Sequence, residues 1–228
     1  MSQKTHNAKI AILDAALTLV PFEGWTDAML RQAVMATKLP KGAHALYFPD
    51  GVLELMGFWS LQMDAQAEAE ITALDLASMK IRDRVTAGVL ARLEAIGPHN
   101  EAARRAASRL VLPDAAARGT TQIWASADMI WRAIGDTSTD GNFYSKRATL
   151  SALLAATLPV WLSDDSESKV KGRAFLNARI ANVMQFETFK WKMKSRSKNW
   201  PNPAEILGGL RYGKSPLKRK RRKRSRTL

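Results

Sequence analysis

The sequence predicts an all-α protein, and three observations carry that prediction. Apolar residues recur at i, i+3 and i+4 in one segment after another. No stretch alternates apolar and polar residues over a convincing strand length. Clusters of Gly, Pro, Asp and Ser cut the chain into helix-length pieces. With 46% hydrophobic and 25% charged residues over 228 positions, the chain is globular in composition and long enough for a sizeable core.

Each element follows from its local signals. Ile10, Leu13, Leu17 and Val20 set a first helix, which the sequence ends at Pro21. Thr26 caps a second through about Thr37. A short helix over Lys41–Leu46 follows, and Asp50 is placed to cap a long amphipathic helix to about Leu76. Further helices are predicted from Ile81 to Ile96, stopped by Gly97-Pro98, and from Glu101 to Leu112, stopped by Pro113-Asp114. The next begins near Thr121 and ends at Gly135-Asp136. Two more cover Asn142–Leu162 and Ser168–Ser197, for about nine in all. Beyond Asn199, Trp200-Pro201-Asn202-Pro203 breaks the helix, and a basic run begins at Lys214.

Charge divides the chain more sharply than hydropathy does. From Phe186 to the end, fifteen Lys/Arg stand against two acids, giving +13 of the total +14. The preceding 185 residues, with twenty bases and nineteen acids, carry only +1. Like charges repel and the run has nothing apolar to bury, so residues 199–228 are expected to be a disordered basic tail.

Much chemistry is excluded. The chain has no cysteine, which removes disulfides, Cys-ligated zinc, iron–sulfur clusters and thiol nucleophiles. His6, His44 and His99 fall in three segments without metal-ligand spacing. No phosphate-cradling loop, dinucleotide fingerprint or nucleophile elbow is present, so no metal, cofactor or catalytic residue is expected. Asp136, Asp140, Asp164 and Asp165 sit at helix breaks, where Asp is expected as a cap. No apolar run reaches the ~18–20 residues of a membrane span. The N-terminus shows neither a secretory nor a transit-type leader. These features set the expectation of a cytoplasmic protein, peripheral at the inner face of the cytoplasmic membrane.

Residues 9–56, with their glycine and aromatic punctuation at Gly24-Trp25, Lys41-Gly42 and Tyr47-Phe48-Pro49-Asp50-Gly51, resemble the helix-turn-helix head of TetR-type repressors. In that family Lys41–Phe48 would be the recognition helix. Base reading needs Arg, Asn, Gln or Thr there. This segment offers Ala43, Ala45 and Leu46, expected to pack the head, with only Lys41 and His44 polar. His44 is expected at the surface, and no sequence-specific nucleic-acid binding is expected.

The most informative stretch is Ile123 to Ala148. Ile123, Trp124, Ala127, Ile130, Trp131 and Ile134 form an apolar stripe at helical spacing. Trp131 reads either as core or as pocket lining. A polar turn follows, and a helix opens with Asn142-Phe143-Tyr144. These aromatics read either as packing for the turn or as a docking patch.

The pattern Asp128-x-x-Trp131, Gly135-Asp136-x-Ser138-Thr139-Asp140-x-Asn142-x-Tyr144-x-x-Arg147-Ala148 closely resembles the signature of the ubiquinone-biosynthesis accessory family with a TetR-like fold. Arg173-Ala174-Phe175-Leu176-x-x-Arg179-Ile180 resembles its following helix, and the likeness covers about residues 8–185. It implies a TetR-like bundle with a degenerate head over 1–56 and a lipid-binding body over 57–198. It also implies a catalytically silent protein that holds isoprenoid quinone precursors and presents them to a quinone-pathway hydroxylase. Carried over by position, Asp128, Ile130, Phe143 and Tyr144 form the partner-facing patch. The family commonly has Trp at Phe143 and, in mitochondrial members, Met at Ile130.

An isoprenoid tail needs a long apolar cavity, for which Trp131, Leu150, Leu154 and Phe175 are candidates, with ordinary core membership as the alternative. Folds of this type often pair through their last two helices, so a homodimer is expected. The competing reading is a TetR-type DNA-binding transcription regulator.

The last predicted body helix carries Phe186, Phe189 and Met193 with Lys190, Lys192 and Lys194 interleaved. It precedes the apolar patch Ala204–Tyr212 and then Lys218, Arg219, Lys220, Arg221, Arg222, Lys223 and Arg224. Mitochondrial members of the family carry instead a separate amphipathic C-terminal helix. An apolar segment joined to a polybasic block reads as a two-signal anchor for an anionic membrane surface. A solvated tail and a phosphate-binding tail are the other readings. Each basic residue held near an anionic surface contributes roughly 1 kcal/mol, within a Debye length. The full chain should therefore float with anionic vesicles at low salt and leave them steeply as salt rises. Truncation after Tyr212 should remove most of the salt-sensitive part. Equal flotation of both chains would mean that the basic run is no membrane anchor.

Overall fold

The computed structural model describes residues 3–139 and 141–197, with side chains placed through residue 183 and at 185. Among these residues it has nine α-helices, a single 3-10 turn at Leu76–Ser78, and no strand. None of its helices is long and apolar enough to cross a membrane. The described residues through Ala181 form one compact unit.

The head contains α1 (Gln3–Glu23), α2 (Asp27–Ala36) and α3 (Ala43–Tyr47). Helix α1 runs through Pro21 rather than ending there. In the last turn a proline removes a single backbone hydrogen bond, and the left-handed Gly24 (φ 71°) ends the helix just beyond. Thr26 caps α2 as predicted, its hydroxyl accepting from the Met29 amide at 3.1 Å. In α3, Ala43 is buried, but Ala45 is exposed and Leu46 is 75% exposed. A helix of little more than one turn turns only one face inward, so Ala45 and Leu46 do not pack the head. His44 is half-buried.

Helix α4 spans Val52–Thr72, and its start corrects the sequence reading. Asp50 does not cap it; Asp50 pairs with Arg118 at 2.9 Å. The cap comes from α2, where Asp27 Oδ1 accepts the Val52 amide at 2.8 Å. Gly51 is required there: its φ is 70°, and a Cβ would lie 2.5 Å from that same carboxylate oxygen. Head and body share one core. Trp25 stacks on Trp59 of α4 at 5.4 Å and donates through its indole to the Ala102 carbonyl at 2.9 Å. The division drawn at residue 56 therefore falls inside α4 and inside a continuous core.

The body continues with α5 (Ile81–Glu94), α6 (Asn100–Leu110), α7 (Ala116–Ala133), α8 (Gly141–Ser163) and α9 (Val170–Ser197). Helix α7 begins before Thr121, because its first turns are largely exposed and carry no apolar stripe to announce them. Helix α4 packs on α5 and α7, and α7 on α8. A polar knot joins the first three. Arg92 of α5 pairs with Asp64 of α4 and donates to Ser60 Oγ at 3.1 Å, while Ser126 of α7 donates to Asp64 at 2.7 Å. Each partner of this largely buried ion pair is thus hydrogen-bonded.

Asp164 is the cap that the sequence leads one to expect at the next break. Its carboxylate accepts from the Ser166 hydroxyl at 2.7 Å and from the amides of Lys171 and Gly172, at 2.7 and 3.0 Å, in the first turn of α9. The Ser166 hydroxyl and the Gly172 amide lead in lowering its pKa from 3.8 to about 2. A lowered folded pKa means stabilisation that is present above the ordinary carboxylate value and lost as the pH falls toward the folded one. Asp164→Asn should therefore melt below the parent near neutrality. The gap should narrow as the pH drops below 3.8 and approaches 2. Parallel melting curves at all pH values would contradict the cap.

Candidate functional site

The α7–α8 corner is built around one buried cation. Gly135, at φ 89°, ends α7, and the Asp136 amide bonds back to the Trp131 carbonyl at 2.9 Å. Asp128 on α7 and Asp136 in the turn then flank Arg147 of α8, whose side chain is 2% exposed. Its Nε donates to Asp128 Oδ1 at 2.6 Å, and its Nη1 to Asp136 Oδ2 and the Phe143 carbonyl, both at 3.3 Å. The guanidinium also lies 3.4 Å from the centroid of the Phe143 ring.

Lys146 completes the arrangement. Its ammonium donates to Asp136 Oδ1 and to the Ser138 hydroxyl, each at 2.6 Å. It also sits 5.2 Å from the Trp131 ring, whose indole N–H donates to the Lys146 carbonyl at 3.1 Å. Burial pushes the Asp136 carboxyl up, but hydrogen bonds from Lys146, Ser138 and Arg147 outweigh it and hold the group below its ordinary value. Toward solvent, Asp128 Oδ2 pairs with Arg132 at 3.0 Å.

Outside this knot lies a ledge of three aromatic rings. Phe143 is half-buried, and Tyr144, 66% exposed, meets it edge-on at 5.1 Å. Half-buried Trp124 of α7 lies 6.5 Å from Tyr144. Of the four predicted patch residues, Asp128, Phe143 and Tyr144 come together here. Ile130 does not: it is fully buried, and a Cβ on Gly88 of α5 would lie 2.6 Å from its Cγ2. Residues two apart on a helix point roughly 200° apart, so Asp128 and Ile130 take opposite faces.

The proposed lipid-lining residues are dispersed in role. Leu150 and Leu154 are buried in the core. Trp131 is half-buried with its N–H committed, and Phe175 is half-buried with the Arg179 guanidinium 5.2 Å from its ring. A cavity of about 220 Å³ in this unit is lined by Leu93, Glu94, Trp161, Lys169 and Arg173 among others, and by none of those four. The side chains of Phe186, Phe189 and Met193 lie outside the described residues, as do Asp140, the stretch from Trp200 to Tyr212, and Lys218–Arg224. Sequence reasoning missed Lys146, Trp124 and the clamp made by Arg147. The signal available was Arg147 lying one helical turn after Phe143, on the same face.

A degenerate helix-turn-helix head on an all-helical body defines a protein of TetR-like fold. The TetR transcriptional regulator of Nitrosomonas europaea superposes with a TM-score of 0.63, covering 78% of this chain and 98% of that one at 16% identity. At that identity the likeness shows fold alone. The COQ9 family model matches residues 116–187 and so takes in the whole α7–α8 corner. The human "Ubiquinone biosynthesis protein COQ9, mitochondrial" is 28% identical over 190 residues, covering 81% of this chain and 60% of that protein. Its Bos taurus counterpart is 29% identical over 191 residues, with the same coverage. The chain thus spans about 60% of the length of the curated relatives that it matches. These matches show the TetR-like fold and bear out the family resemblance read from the sequence: the chain is similar to the COQ9 proteins.

They also overturn one expectation. The relatives are named as mitochondrial, against a cytoplasmic location at the inner face of the cytoplasmic membrane. Composition and charge report partners and solubility, and neither encodes a compartment.

The burial of Ile130 carries its own test. Gly88→Ala forces a methyl into Ile130 and should destabilise the fold by ~1–3 kcal/mol, as overpacking does. Combination with Ile130→Val should recover part of that loss in chemical denaturation. An unchanged midpoint in Gly88→Ala would place Ile130 outside the packed core.

Proposed function

We propose that this chain is a non-catalytic accessory protein of ubiquinone biosynthesis. In this reading it binds an isoprenoid quinone precursor and presents it to a quinone-pathway hydroxylase docked on the ledge of Asp128, Phe143 and Tyr144. The observation that carries the reading is the COQ9 family match over residues 116–187, a stretch that includes exposed Tyr144 beside Phe143. A homodimer, and an anionic membrane surface engaged by the basic tail, belong to the same reading.

A further observation supports it. In the segment that would read bases in a TetR-type regulator, Ala45 and Leu46 are exposed, and neither side chain carries a hydrogen-bond donor.

The test joins pathway and surface. Deleting the gene should lower ubiquinone and accumulate an unhydroxylated prenylated precursor, and the parent gene should restore both. The Phe143→Ala, Tyr144→Ala double variant should fail to restore them while keeping its helical content and most of its melting temperature. Its affinity for the pathway hydroxylase should fall at least about tenfold, the ~1.4 kcal/mol expected of an aromatic anchor. Normal quinone content in the deletion strain would defeat the pathway role. Full complementation by the double variant would defeat the docking surface.

A further inference from the structure

We infer that Arg147 is the positioning residue of the aromatic ledge: braced by Asp128 and Asp136, its guanidinium fixes the Phe143 ring, and that ring in turn fixes exposed Tyr144. The inference rests on the docking reading above and deepens it.

Holding α7 to α8 does not by itself call for an arginine. Ile134 at the α7 end and Leu150, Leu153 and Leu154 of α8 are all buried. A buried cation costs desolvation that an apolar side chain of similar size does not. What the arginine adds is a flat, oriented face. Its edge donors are taken by Asp128 Oδ1 at 2.6 Å, by Asp136 Oδ2 at 3.3 Å and by the Phe143 carbonyl at 3.3 Å. These bonds fix the guanidinium, and its Cζ lies over the Phe143 ring, 3.4 Å from the centroid. Phe143 and Arg147, four apart on α8, share one helix face, so the stack forms within the helix itself.

The order passes outward from there. Tyr144 meets the held Phe143 ring at 5.1 Å and 77°, and on its other side approaches Trp124 at 6.5 Å. An exposed tyrosine otherwise loses its rotamer freedom only when a partner arrives, which weakens binding. A tyrosine held in advance has already lost it. Lysine in place of arginine keeps the charge for Asp128 and Asp136 but has no planar face to stack.

The full chain has three tyrosines, Tyr47, Tyr144 and Tyr212, so 3-fluorotyrosine gives three fluorine resonances, with Tyr144→Phe assigning the one of interest. In the parent, the Tyr144 resonance should be displaced from the free amino-acid position by the neighbouring rings. In Arg147→Lys it should move toward that position while Tyr47 stays. Affinity for the ubiquinone-pathway hydroxylase of the same organism should fall about three- to tenfold with helical content kept. Phe143→Leu leaves both ion-pair partners and the backbone carbonyl in place and removes the relay, so it should move the Tyr144 resonance as well. This second variant decides the matter if Arg147→Lys unsettles the whole fold and shifts Tyr47 too. An unmoved Tyr144 resonance in a folded Arg147→Lys, or in Phe143→Leu, overturns the positioning role. Unchanged hydroxylase affinity in Tyr144→Ala would instead overturn the docking reading, a result distinguishable because the fluorine shifts do not depend on the partner.

Discussion

A guanidinium taken out of water has to bring its counter-charges with it, and that requirement shapes the α7–α8 corner. Arg147 is 2% exposed and answers to two carboxylates, one on a helix and one in a turn. Meeting both forces the turn to fold back over the end of α7, which Gly135 permits at φ 89°. Asp136, once inside, needs donors for both oxygens, and Ser138 and Lys146 supply those that Arg147 does not. Lys146 in turn lies over Trp131. Each buried charge recruits the next group until the residual charge reaches solvent at Arg132 and Lys146.

The rings at the surface are the outer edge of this electrostatic arrangement. Tyr144 is among the most exposed large side chains of the described residues, yet it stands only two ring contacts from a fully buried arginine. A surface joined so directly to a rigid interior suits recognition by shape, where an anchor is ready before the partner comes. That the COQ9 match spans 116–187 fits such a unit, since charge knot and ring ledge lie in the same stretch of chain.

The helices were legible in the sequence wherever punctuation and period agreed. Thr26 marked the start of α2, and Asp164 the start of α9, because a cap acts on amides a few residues away. Where the cap came from far off, the reading failed. Val52 is capped by Asp27, twenty-five positions earlier, and nothing near Asp50 betrays it. Helix α7 began earlier than read because its exposed first turns have no apolar stripe. At the site, Asp128, Phe143 and Tyr144 were legible as a group, whereas Ile130 was placed on the surface although its helical phase sends it inward. The role of Arg147 was hidden for a different reason. A charged residue reads as solvent-facing until its partners are known, and those partners come together only after the chain has turned.

The indole stack between Trp25 and Trp59 has a consequence for how this chain can be cut. Trp25 and Asp27 belong to the head, yet one supports the flank of α4 and the other closes its first turn. Met29, Leu30, Leu55 and Met56 lie in the same core as the residues of the body. Excising the first 56 residues would leave a body with an open helix start and an uncovered tryptophan. The head is therefore a foundation, and it earns its place whether or not any DNA base is ever read by it.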